Sequence, residues 1–144
     1  THIQYLEFED AAKIIKSNCE ITSINLRHPG GASGYIFETN KGKFSYLLDH
    51  EYDDESALEI INASKKSDLI IWDGMFTPEE LSMRKGWGHS SIAQGNDFLI
   101  KSDSKKMGIS HHSPYRNDKD MTNLKKSFTN QNLFLAKEGQ TIKF

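Results

Sequence analysis

Apolar residues in the first third of this chain alternate over short runs bounded by glycine, proline or aspartate; further along, such runs take turns with helix-spaced ones. "IQYLEF" (3–8) alternates as a strand, and "FEDAAKIIKS" (8–17) follows with helical spacing and acids at its start. "EITSINLRH" (20–28) is rich in β-branched residues and predicts a strand, closed by the turn cluster "PGGASG" (29–34). "YIFET" (35–39) and "FSYLLD" (44–49), joined by "NKGK", predict a hairpin. "DDESALEIINASKKS" (53–67) opens with acids and sets Leu58 and Ile61 on one helical face. "DLIIWDG" (68–74) is a continuous apolar run between aspartates, which predicts a buried strand.

The remainder alternates helix and strand. "TPEELSMRK" (77–85) predicts a helix with Thr77 as N-cap and Pro78 at the first helical position. After the break "GWGHSS", "SSIAQGNDFLIKS" (90–102) predicts a second helix, weakened by Gly95. "KMGISHH" (106–112) predicts a strand, "DKDMTNLKKSFTNQ" (118–131) a helix, and "LFLAKEG" (133–139) a last strand with "GQTIKF" as its candidate partner. A hairpin-rich front and an alternating rear predict an α/β, layered (α+β) architecture in one domain, residues 1–144.

Charge narrows the partners. Net charge is −2 and the pI near 6.3, so no global basic field favours nucleic acid or an anionic membrane. The lysines of "KKSDL", "KSDSKK" and "LKKSF" read as solvated faces and turns. Cys19 is the only cysteine, which rules out an intramolecular disulfide and suits a reducing compartment. No apolar run approaches the ~20 residues that span a bilayer, and nothing resembles a signal peptide; the expected location is cytoplasmic, with no membrane partner. The chain opens on "THIQYLEF" without an initiator methionine, on a strand-like segment, and reads as part of a longer protein.

Candidate chemistry gathers where strands are predicted to end. His28, Asp49, Asp73 and the pair His111–His112 each close a predicted strand, and ligands of layered α/β proteins bind beyond strand ends. Imidazole and carboxylate are ligands for zinc, manganese or iron. Each residue taken alone reads more readily as a cap or turn former; only their joint pattern raises the metal reading, and the residues by themselves leave both readings open. In "MRKGWGHSSIAQG" (83–95), glycines flank Trp87 and allow close backbone approach, and a serine caps the helix that follows. That leaves His89 at a loop tip, suited to proton transfer or phosphate contact. Other chemistries lack their motifs: "GASGY" is no Gly-x-Ser-x-Gly elbow, CxxC and HExxH are absent, and "HPGGASG" fits neither Walker A nor G-x-G-x-x-G.

Taken in order, "INLRHPGGASGYIFETNKGKFSYLLDHE", "LIIWDGMFTPEEL", "RKGWGHSSIAQ" and "MGISHHSPYR" resemble the C-terminal half of metallo-β-lactamase-fold hydrolases, nearest the ribonuclease Z and phosphodiesterase branch. The resemblance spans about residues 20 to 116. It implies an αββα sandwich of which this chain supplies about one half. It implies metal ligands at His28, Asp49 (bridging two ions) and His111, and a catalytic role for His89 in phosphodiester cleavage. Asp73 would then orient a ligand histidine, Trp87 would line the pocket, and His112, on the opposite face of the strand from His111, would stand behind the ligands or in solvent. The implied cofactor is a divalent metal, zinc first and manganese or iron next; the implied reaction is attack of metal-bound hydroxide on a phosphodiester or similar ester.

The family's H-x-H-x-D-H motif does not occur in this chain. The expected partners are therefore the N-terminal half of the same fold and a small-molecule or nucleotide-type ester. An inner sheet face left without that half would favour a homo-oligomer. The alternative is an interaction module or remnant that keeps the fold without a complete metal site.

Overall fold

Among the described residues six strands form a single sheet in chain order, and the chain direction within it changes character after the third. The computed structural model describes residues 7, 10, 19–53 and 55–143. The strand expected over 3–8 and the helix over 8–17 fall almost wholly outside the described residues. β1 (Cys19–Leu26), β2 (Ala32–Thr39) and β3 (Gly42–Leu47) run antiparallel, with the Asn40–Lys41 turn tight enough for a hairpin. β4 (Leu69–Asp73), β5 (Met107–Ser110) and β6 (Leu133–Leu135) then add in parallel. The expected mixed α/β layering is thus observed. The short connections of the front half permit only hairpins, and the helix-bearing crossovers of the rear half return the chain parallel.

The helices within residues 55–143 are α1 (Ala57–Ser64), α2 (Pro78–Ser82), α3 (Ile92–Lys101) and α4 (Asp118–Lys126). α1 starts four residues later than the acids suggest. The Asp53 carboxylate accepts from the Ser56 amide (2.8 Å) and hydroxyl (2.9 Å), and it pairs with Arg27. Those bonds make a turn of the segment in place of a helical first turn. α4 stops at Lys126 instead of running to 131: the Ser127 amide is shared between the Asn123 and Leu124 carbonyls (3.1 Å each) and the Phe128 amide reaches the Lys125 carbonyl (3.4 Å), so the last turn tightens to i→i−3 bonding and ends. No strand follows β6 among the described residues, so the "GQTIKF" pairing is not formed.

Register sorts the side chains into two faces. Ile24, Ile36, Leu47, Ile70, Trp72, Met107, Ile109 and Leu135 lie on one, packed against Ile60 of α1 and Phe98 and Leu99 of α3 as a single core. Tyr35, Phe37, Phe44, Tyr46, Ile71 and Phe134 lie on the other, half-buried or exposed, and none of them joins that core. This second face is apolar and aromatic, with Phe37 and Phe44 stacked at 5.6 Å. The first face is the one that the described helices cover.

Candidate functional site

Four of the five polar residues expected at strand ends, His28, Asp49, Asp73 and His111, meet at one end of the sheet; His112 does not join them. Asp73 is the last residue of β4 and wholly buried, while Asp49 and His111 lie just past the ends of β3 and β5 in left-handed backbone, at φ 54° and 55°. Non-glycine residues pay for that conformation. It turns both chains off their strands, so the parallel strands deliver their next residues to one point. The same turn corrects the reason expected for separating His111 from His112. β5 has already ended at Ser110, so the left-handed step at His111, rather than the alternation of a strand, sets their directions.

His89 is the hub. Its Nδ1 lies 2.8 Å from Asp73 Oδ2, and its ring centre lies 4.9 Å from that of His111 and 5.6 Å from that of His28. One ligand-capable atom from each of His28, Asp49 and His89 falls within 4.8 Å of the others, and the same holds for Asp73, His89 and His111. Asp73 also accepts from the amides of His50 (3.2 Å) and Met75 (3.2 Å), which fixes its carboxylate from behind. Its shortest side-chain contact is thus with His89, and it also lies 3.6 Å from His111 Nδ1.

The loop bearing His89 is held from several sides. Ser91 caps α3 through a capping box with Gln94, and Ser90 donates to the His50 carbonyl while accepting from the Tyr52 amide (3.0 Å). Phe76 exchanges backbone bonds with this loop and is 3% exposed, so it is core that also backs the His89 ring at 6.0 Å. Gly88 has φ +88°, and a Cβ there would overlap the His28 ring. The glycine is what lets the two histidines approach. Trp87 projects from the loop, 61% exposed, with the Arg84 guanidinium 6.0 Å from its ring.

His112 is half-buried, and neither ring nitrogen has a hydrogen-bond partner. Burial, with the nearby Arg116 charge, pushes its pKa down. His50, adjacent to Asp49, was not legible as special. It is fully buried against Tyr52 and Trp72, and burial lowers its pKa to about 4. Nothing local marks it, since Tyr52 is near in sequence but Trp72, the other ring it packs on, is twenty-two positions away.

The donor set fits a divalent cation. His111 Nδ1 is buried and lacks a hydrogen-bond partner, yet it lies 3.6 Å from both Asp49 Oδ1 and Asp73 Oδ2. A gap between one imidazole nitrogen and two carboxylates suits a cation. His28 fits conditionally: its Nδ1 accepts from the Gly30 amide at 3.2 Å, and a neutral imidazole has a single lone pair. Ligation by His28 and that hydrogen bond exclude each other.

Compared by sequence, the chain matches no protein-family model and no curated protein. Compared by structure, it is similar to the short form of human tRNase Z, with 17% identity, TM-score 0.71, and coverage of 89% of this chain and 44% of that one. It is similar also to YhfI of Bacillus subtilis, a metallo-β-lactamase-fold protein, with 17% identity, TM-score 0.69 and coverage of 87% and 49%. A diphosphatase of the PhnP family matches with 16% identity, TM-score 0.56 and coverage of 85% and 42%. This chain therefore has the fold of metallo-β-lactamase-type proteins and spans about half the length of those it resembles.

Proposed function

We propose that this chain is the C-terminal half of a metal-dependent hydrolase acting on a phosphodiester or similar ester, with His28, Asp49 and His111 holding the metal from this side and His89 moving a proton. The observation that carries the reading is the orphaned His111 Nδ1, facing two carboxylate oxygens at 3.6 Å. Left without a cation, two carboxylates this close to one point repel each other. Zinc suits nitrogen and carboxylate donors, and manganese or iron takes the same set. Such an ion, when bound, supplies Lewis acidity and lowers the pKa of water towards ~7.

The protein's own groups do the rest. Asp73 accepts from His89 Nδ1, which places that proton and leaves Nε2 as the working nitrogen. A carboxylate behind the ring also stabilises the imidazolium, so His89 donates from Nε2 to the leaving oxygen or stabilises charge developing there. Trp87 walls the pocket from the loop tip. His112, half-buried and next in sequence to His111, is left out of the ligand set. The remaining ligands of a complete site come from an N-terminal half carrying the H-x-H-x-D-H motif, seated on the Phe37–Phe44 face, and the lone Cys19 suits a reducing, cytoplasmic setting.

The test is metal content by elemental mass spectrometry, wild type beside a His28→Ala/His111→Ala double variant. Near-stoichiometric zinc, manganese or iron that disappears in the variant supports the reading. Equal metal in both sinks the ligand assignment, and none in either favours an interaction module without a site of its own.

A further inference from the structure

We infer that Glu51 is the positioning residue that sets the relative placement of His28, Asp49 and His89. Its two carboxylate oxygens accept one backbone amide each, from Gly86 at 2.8 Å and from Gly88 at 2.9 Å. Its own amide donates to the Arg27 carbonyl at 2.8 Å. One residue thus ties together three segments remote in sequence: the end of β1 before His28, the turn that holds Asp49, and the loop that presents His89. The inference rests on the proposed function for what those residues do, though not for where they sit.

Backbone conformation makes the clamp possible. Gly86 and Gly88 have φ of +86° and +88°, which aims two nearly adjacent N–H groups at one side of the loop and forms a concave anion receptor. Only glycine takes such angles freely. Hydrogen bonds to a charged carboxylate are roughly twice as strong as neutral ones. Releasing Gly88 would also release its packing on the His28 ring, where a Cβ has no room. His28 and His89 therefore move together when Glu51 lets go.

The test compares wild type, Glu51→Gln and Glu51→Asp in the 144-residue chain, first without metal. Glutamine presents one acceptor oxygen, so one amide loses its partner; aspartate keeps the charge but is a methylene short. Amide NMR should show Gly86 and Gly88 shifted and exchanging with solvent about tenfold faster or more in Glu51→Gln, with the His28 and His89 ring signals displaced. Glu51→Asp should fall between. Unchanged amides overturn the clamp. Altered amides with unmoved His28 and His89 rings reduce Glu51 to loop stability and overturn the positioning role.

Zinc titration forms a separate arm. Affinity should fall about tenfold or more in Glu51→Gln, the size expected for partners that hold ligands in place. A wild type that binds no zinc counts against the proposed function alone, since the NMR arm still decides Glu51. Should Glu51→Gln fail to fold, Glu51→Asp carries both readouts.

Discussion

A histidine with no hydrogen-bond partner in the core acts on stability through its proton. His50 is fully buried with both ring nitrogens unpaired, and burial lowers its pKa to about 4 from an ordinary value of 6.5. Between those values the unfolded chain binds the proton and the folded one does not. Stability is therefore full above pH 6.5 and falls as pH drops towards 4, by up to roughly 3 kcal/mol. Thermal melts of the metal-free chain at pH 7 and pH 4.5 should show this loss, and His50→Phe should lose less over the same span. An equal slope in both would refute the assignment. At the same scale, Gly88→Ala meets both a left-handed backbone and the His28 ring. It should cost about 1–3 kcal/mol and shift the His28 ring signals; a silent variant would contradict the packing.

Among the helices, intrinsic preference and tertiary fit pull in opposite directions at Gly95. By propensity, a glycine inside α3 is worth up to about 1 kcal/mol less than alanine. A Cβ at this position would stand 2.7 Å from Trp72 Cδ1 and 2.8 Å from Nε1, and that indole also donates to the Ser91 carbonyl at 3.1 Å. Gly95→Ala is therefore expected to destabilise by about 1–3 kcal/mol, whereas an exposed helix would gain. A rise in melting temperature would refute it. Ser91→Ala removes the cap of α3 and should cost about 1 kcal/mol, seen as faster exchange of the Gln94 amide, which Ser91 now accepts. Cap residues such as Thr77 and Ser91 were readable from local order, since the partner lies three residues on. Gly95 was not, because its reason sits on a strand.

At the scale of the whole molecule, the sheet has two apolar faces and the described helices supply a core for only one. Phe37, Ile71 and Phe134 lie on the second with Tyr46, which is 38% exposed. Apolar sheet faces of this kind drive association. The chain alone should dimerise or form larger species in a concentration-dependent way, read by sedimentation velocity, and Tyr46→Lys/Phe37→Glu should shift it towards monomer. A wild type monomeric at high concentration would count against the face as a docking surface. No helix among the described residues is long and apolar enough to cross a membrane.

Local order carried most of the secondary structure. Strand alternation, the capping residues and the run "LIIWD" depend on neighbours within a few positions, so β1 to β6 and α1 to α4 were legible apart from their ends. The candidate site was legible as a set of residue types at strand ends, and their ordered resemblance pointed to the fold. What folding alone could settle is which of them meet. Asp73 grips His89 sixteen residues away, Glu51 holds a loop thirty-five residues on, and His111 faces two carboxylates because parallel strands end side by side. Contacts of that reach leave no local periodicity. They arise from strand register and left-handed turns, which exist only once the sheet has formed.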